Sequence, residues 1–335
     1  MGKASRTKEP DRRARIAAQR AAARRAEQRK RIYLAGGSIL AVIIVVVAFV
    51  LIKTNSKNGT AAPASNGPTG SALASLTRDI TSVPQSVLDK VGGGTIDKSF
   101  FIPSSEIAAA SAANSAYFAT VNGSPITSGG KPEVLYIGAE YCPFCGAARW
   151  PMIIALSRFG TFSGLTTIHS SSTDYDPNTP SWTFYGSKYT SNYITFTSVE
   201  ETTNERQGNS SNTNVPYVTL QNPTSAQEAL LQQWDPYNQT TGTGGAIPFI
   251  DIGNKYVNVG DLSPAYGPDL LKGKSWTQVA TALSQGTSAI GQGGDGTANY
   301  MTASICQITG NKPANVCTAA PIPSIEKTIG APAGK

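Results

Sequence analysis

Apolar residues run unbroken by charge from Ile32 to Ile52 (IYLAGGSILAVIIVVVAFVLI), 21 residues in all. At helical rise that run spans roughly 30 Å, the thickness of a hydrocarbon core, and it predicts one transmembrane helix. A cleavable signal has a shorter apolar core and a small-residue cleavage site, and here the run meets Lys53 without one. Beyond it the pattern changes. Residues 53–75 (KTNSKNGTAAPASNGPTGSALAS) have the composition of a flexible linker. From Leu76 apolar positions recur in short periodic groups. Thr81–Val91 predicts a helix closed by Gly92-Gly93-Gly94. Tyr117–Val121 and Glu133–Gly138 read as strands, with Asn122-Gly123 as a hairpin-type turn signal between them. Gly146–Phe159 has helical spacing, and Leu165–Ser170 reads as the next strand, which makes a βαβ unit. Further on, Tyr193–Val199 alternates as a strand and Ser225–Trp234 is helical. Ile247–Ile252 and Lys255–Val259 predict a β-hairpin. Ser275–Leu283 and Thr297–Ile308 predict two more helices. No internal repeat is present.

Charge changes the picture at one place. Residues 1–31 hold 12 Lys/Arg against 3 Asp/Glu, whereas the rest of the chain holds 16 against 18. The overall charge of +7 therefore belongs to the tail, and the folded part is not a basic nucleic-acid binder. Positive residues before an apolar span stay cytoplasmic. The predicted topology is a single-pass cell-membrane protein with its N-terminus in the cytoplasm and its C-terminal domain extracytoplasmic.

All four cysteines (Cys142, Cys145, Cys306 and Cys317) follow the apolar span. An even number in an oxidising compartment favours disulfides. Cys142 and Cys145 form a Cys-Pro-Phe-Cys motif between a buried strand and a helix. A helix N-terminus offers unpaired N–H groups and positive dipole charge to a thiolate. Cys142 is then the exposed nucleophile, and Cys145, one turn inside, resolves the mixed disulfide. Cys306 and Cys317 close a short loop, and a structural disulfide there stabilises by about 3 kcal/mol. The alternative for that pair is a second redox couple. A zinc site wants four ligands, and His169 is the one histidine. His169 reads as a packed or surface residue, and no metal or other cofactor is expected.

The run Tyr141-Cys142-Pro143-Phe144-Cys145 after an apolar strand, with Ile247-Pro248 opening a hairpin about 100 residues later, resembles the thioredoxin superfamily. The resemblance covers residues 117–285. It is closer to an uncharacterised group of membrane-anchored thioredoxin-like proteins of bacteria and archaea, in which the motif precedes a Tyr/Ser/Thr-rich insertion. It implies an α/β thioredoxin-like fold with a central mixed sheet and an insertion, preceded by the transmembrane helix. The implied organisation is a basic cytoplasmic tail (1–31), the membrane helix (32–52), the linker (53–75) and a domain at 76–290 with its insertion at about 171–240. A C-terminal helical extension (291–335) carries the Cys306–Cys317 disulfide and a disordered end. By the same resemblance Pro248 is a cis-proline facing the motif, Ile247 contacts the substrate backbone, and Pro151 kinks the active-site helix. Tyr141, Phe144 and Trp150 are candidates for an apolar rim that docks unfolded polypeptide or, alternatively, for the core.

Two departures bear on chemistry. Pro-Phe between the cysteines matches neither the Gly-Pro of thioredoxins nor the Pro-His of strong oxidants. Tyr136 stands where thioredoxins carry a buried acid; the nearby Glu140 reads as a solvated surface carboxylate or, alternatively, as a substitute for that acid. The expected partners are cysteine-containing exported proteins and a membrane redox partner that recycles the motif. Three functions follow as alternatives: an oxidase or isomerase of exported proteins, a reductase dedicated to one client, and a non-catalytic scaffold.

Overall fold

The computed structural model describes residues 67–96, 98–262 and 266–330. The basic tail, the apolar span, residues 53–66 of the linker and the chain end at 331–335 lie outside them. Among the described residues no helix is long and apolar enough to cross a membrane.

The described residues open with α1 (Gly70–Thr81) and α2 (Gln85–Val91). Then come β1 (Phe101–Pro103), α3 (Ile107–Ala112), β2 (Tyr117–Thr120), β3 (Thr127–Ser128) and β4 (Lys131–Gly138). Helix α4 (Pro143–Ser157) follows directly. A run of strands comes next: β5 (Gly160–Ser163), β6 (Thr166–His169), β7 (Pro180–Thr183), β8 (Lys188–Ser191), β9 (Thr195–Glu200), β10 (Thr202–Arg206) and β11 (Tyr217–Thr219). Helix α5 (Ser225–Trp234) precedes the hairpin β12 (Phe249–Ile252) and β13 (Tyr256–Val259). The chain continues through α6 (Pro268–Leu271), α7 (Trp276–Gln285), α8 (Ala289–Ile308), α9 (Ala314–Cys317) and α10 (Ile322–Ile329).

The central sheet is mixed. Its strands run β1-β2-β13-β12-β4, with β3 and β9 also pairing with β4. β1 with β2 and β4 with β9 are parallel, and the other pairs are antiparallel. Side chains alternate across the sheet, so each strand feeds two cores. Val134, Tyr136, Ile250, Ile252 and Tyr256 face the larger one, which includes α4, α7 and α8. Leu135, Ile137, Val199, Phe249 and Val257 face the smaller one, covered by Ile107 of α3 and Leu231 of α5. α4 is buried along nearly its whole length, which is why its sequence is apolar on every side. The pattern places α5 and the β12–β13 hairpin where they lie, and a Thr224–Gln227 capping box starts α5.

Several expectations change. The linker reading fails at 70–75, because α1 begins at Gly70 and turns Leu73, Leu76 and Ile80 onto one packed face. Asn122-Gly123 does not join a hairpin. β2 and β4 are separated in the sheet by β13 and β12, and the tight hairpin onto β4 comes from β3. The βαβ unit closes at β9 rather than at 165–170, since β6 pairs with β7 in a two-stranded ribbon. The insertion at 171–240 thus contributes β9 to the central sheet. Residues 291–330 of the C-terminal helical extension pack into the larger core. α8 starts at Ala289 and packs against α4, α7 and α10. Its first turns escape periodicity because they are glycine-rich, and these glycines are spacers. A Cβ on Gly291 would stand 2.6 Å from the Ala282 carbonyl oxygen, and one on Gly296 would stand 2.6 Å from that of Gly93.

A disulfide joins Cys306 at the end of α8 to Cys317 in α9, with both residues buried in the larger core. That burial suits a staple rather than a relay. The Cys306→Ala/Cys317→Ala double variant is expected to lose about 3 kcal/mol of unfolding free energy in chemical denaturation while the Cys142–Cys145 pair remains intact. An unchanged denaturation midpoint would show that the bridge contributes nothing.

Two buried carboxyls give the fold a pH dependence. Asp251 on β12 accepts from the Asn254 N–H at 2.6 Å through one oxygen, and its other oxygen has no partner among the described residues. Asp295 on α8 has none for either oxygen. Burial pushes Asp251 up to about 7 and Asp295 up to about 8. In the unfolded chain both ionise near pH 4. The stability these groups contribute is therefore full below about pH 4 and is lost as pH rises through 7 and then 8. Asp295→Asn is expected to flatten the alkaline limb of the stability–pH curve. Denaturant melts at about pH 5 and about pH 9 check this, and parallel limbs in variant and parent would refute it.

Candidate functional site

Cys142 is the N-cap of α4, in extended backbone, and Pro143 occupies the first helical position, where its fixed φ suits the helix and no N–H is missed. The Cys142 Sγ accepts from the Cys145 N–H at 3.2 Å, so the sulfur does what a capping serine oxygen does elsewhere. The Cys142 thiol also points at the carbonyl oxygen of Ile247, 3.8 Å away. The Ile247–Pro248 bond is cis, and this pair leads into β12, the neighbour of β4. Strand β4, helix α4 and the turn before β12 thus bring together four of the residues singled out from the sequence: Cys142, Cys145, Ile247 and Pro248.

Both cysteines are free thiols. Neither is openly exposed: Cys145 is wholly buried and Cys142 shows 4 % of its surface, which corrects the expectation of an exposed nucleophile. Burial pushes the Cys145 thiol well up. The adjoining Cys142 adds to that, and the Arg149 guanidinium works against it.

The next layer holds groups that no sequence motif marks. Arg149, one turn beyond Cys145, is fully buried with Glu200 at the end of β9. Its Nε and Nη2 donate to the two Glu200 oxygens at 2.9 and 2.6 Å, a bidentate pair. Nη2 also donates to the Ala139 carbonyl at 2.8 Å, and Nη1 to Ser181 Oγ at 3.2 Å. The guanidinium carbon lies 5.6 Å from the Tyr136 ring centre. Tyr136 is wholly buried and lies over Gly138, where a Cβ would come within 2.1 Å of its hydroxyl. That hydroxyl has no hydrogen-bond partner among the described residues. Glu140 is buried rather than solvated. It accepts from Thr183 Oγ1 at 2.6 Å, and burial holds its carboxyl above the usual range. An arginine inside the apolar run GAARWPMIIAL was the available sequence signal for this layer. Its partner sits 51 residues away on another strand and carried none.

The rim is aromatic and partly accessible. Half-buried Tyr141 stacks on Tyr217 at 4.1 Å, and Arg206 lies over the far ring at 4.0 Å. Half-buried Phe144 stacks on exposed Tyr175 at 5.8 Å. Beside Tyr141, whose carbonyl takes the Ser171 N–H, runs a polar groove of about 210 Å³ between Thr173, Asn204 and Arg206. Trp150 is not part of this rim: it is fully buried, donates to the Pro180 carbonyl and meets Trp182 edge-on. His169 packs against Trp276, with ring centres 4.3 Å apart. Among the described residues no three His, Cys, Asp or Glu are grouped to hold a metal ion.

Fold and site define a mixed α/β protein with a buried thiol pair at the N-terminus of a core helix. Residues 117–307 match the family described as a domain of unknown function, DUF929, and the chain belongs to that family. Neither a curated protein nor a solved structure matches it.

Proposed function

We propose that this chain is a membrane-anchored, extracytoplasmic thiol–disulfide oxidoreductase of thioredoxin-like fold that oxidises or isomerises cysteines of exported proteins. The observation that carries the reading is the placement of the Cys142 sulfur. It caps α4, takes the Cys145 N–H, and lies 3.8 Å from the carbonyl that precedes a cis-proline. The 32–52 apolar span behind a basic tail supports the anchor and the outward orientation. The stacked pairs Tyr141–Tyr217 and Phe144–Tyr175 support an extended, partly apolar client segment beside the sulfur.

In the oxidising direction a client thiolate attacks Cys142 Sγ of the Cys142–Cys145 disulfide. The S–S electron pair departs on Cys145, which takes up a proton. A second client thiolate then attacks the client sulfur of the mixed disulfide, and Cys142 leaves with that electron pair. Two electrons pass from the client dithiol to the protein, and a membrane-bound electron acceptor removes them again. Isomerisation starts instead from the reduced pair: the Cys142 thiolate attacks a client disulfide and a client thiolate departs. That thiolate attacks a second client disulfide, and the client thiolate so released attacks the client sulfur of the mixed disulfide and expels Cys142, with no net electron transfer.

Refolding of reduced ribonuclease and reduction of insulin test the reading. The parent protein is expected to accelerate one or both, and Cys142→Ser and Cys145→Ser to fall to background. Full biological function in both serine variants would instead leave an inert scaffold.

A further inference from the structure

An ion pair buried out of water is rarely a net source of stability, and an apolar pair of similar size often serves as well. Arg149 and Glu200, both at zero exposure, therefore call for a role other than packing. Their position suggests one. Arg149 follows Cys145 by one helical turn, so the two share a face of α4. Its Nη2 is tied to the Ala139 carbonyl, which also accepts the Cys142 N–H at 3.3 Å. One carbonyl thus links the guanidinium to the Cys142 main chain. Around the cysteine pair stand this cation and the phenols of Tyr136 and Tyr141. Glu140 is engaged by Thr183, and Glu200 by Arg149 and the Phe184 N–H.

We propose that Arg149 is a positioning residue for the thiol chemistry above: held by Glu200 and Ala139, its charge stabilises the Cys145 sulfur as an anion when that sulfur leaves the Cys142–Cys145 disulfide or attacks a mixed disulfide. This rests on the proposed oxidoreductase reading. It sets a buried cation one turn beyond Cys145, while Tyr136 holds the position where thioredoxins carry an acid and the buried Glu140 is engaged by Thr183. A carboxylate would take the Cys145 proton, whereas a guanidinium, always protonated, lowers the energy of the thiolate and leaves the proton to solvent. Burial raises the Cys145 thiol and Arg149 opposes it, in line with this role. Glu200 sets how much of the charge reaches the sulfur.

The test uses the oxidised full-length chain and excess reduced glutathione, which attacks Cys142 and expels Cys145, with no client present. A better leaving thiolate departs faster. Glu200→Gln leaves the Arg149 charge unpaired, and the opening rate is expected to rise about three- to tenfold. Arg149→Met/Glu200→Gln removes both charges, and the rate is expected to fall by a similar factor, while Arg149→Lys/Glu200→Gln restores it. In the Cys142→Ser background, carbon-13 titration of the Cys145 Cβ should move down with Glu200→Gln and up with the double variant. A purely structural pair would loosen the site in every variant and shift all rates in one direction. That outcome, or no change, overturns the inference, and Glu200→Gln alone decides it if the double variant fails to fold. Because glutathione opening needs no client, diverging rates combined with fully functional Cys142→Ser and Cys145→Ser variants would overturn only the proposed function.

Discussion

Cys145→Ala is expected to accumulate covalent, reductant-sensitive complexes with exported proteins, and Cys142→Ser to accumulate none. The asymmetry comes from the geometry at the start of α4. Cys142 is the sulfur at the helix cap, aimed at the Ile247 carbonyl and flanked by half-buried Tyr141 and Phe144. Cys145 is wholly enclosed and meets no client. A client sulfur therefore bonds to Cys142, and the bond persists when the resolving thiol is missing. Oxidative refolding should drop to background in both variants, since each lacks half of a two-electron couple. Non-reducing gels of membranes from cells expressing the variants check the complexes. Equal trapping by Cys142→Ser would assign the nucleophile to Cys145 and invert the site. Absence of complexes in every variant, with normal growth functions, would favour the scaffold.

Arg149→Leu is expected to destabilise the domain by about 3–5 kcal/mol, because it leaves Glu200 charged, buried and without its cation. The same substitution leaves the Ala139 carbonyl with the 3.3 Å bond from the Cys142 N–H and removes a donor from Ser181. Arg149→Leu/Glu200→Gln should recover most of that loss, since the amide needs no counter-charge and can still accept from the Phe184 N–H. Denaturant unfolding of the two singles and the double gives the coupling directly. If the double variant is no more stable than Arg149→Leu, the cost lies in packing and not in the stranded carboxylate.

Local chemistry made much of the site legible. The CxxC at a strand–helix junction, the hairpin led by Ile247-Pro248, the α5 helix and the Cys306–Cys317 pairing all depend on short-range patterns, and each lies where the pattern placed it. Where a reading failed, a partner distant in sequence had decided the matter. Asn122-Gly123 looked like a hairpin because apolar runs flank it, yet β2 takes β13 as its neighbour. Leu165–Ser170 looked like the closing strand of βαβ, yet β9 takes the parallel place beside β4 and supplies Glu200. Gly291, Gly293, Gly294 and Gly296 argue against a helix on propensity, yet close approach to α7 at Gly291 and Gly294 and to the 93–94 turn at Gly296 requires glycine there.

The sequence by itself determined the paired cysteines, their position at a helix start and the apolar span that precedes the domain, because sulfur chemistry, helix ends and hydrophobic length are properties of contiguous residues. Only the tertiary structure decided what surrounds those sulfurs. Arg149 and Glu200 meet across 51 residues, Glu140 is buried against Thr183, and both cysteines are enclosed rather than displayed. Electrostatic environment and burial depend on which distant strands pack together, and no local pattern encodes that.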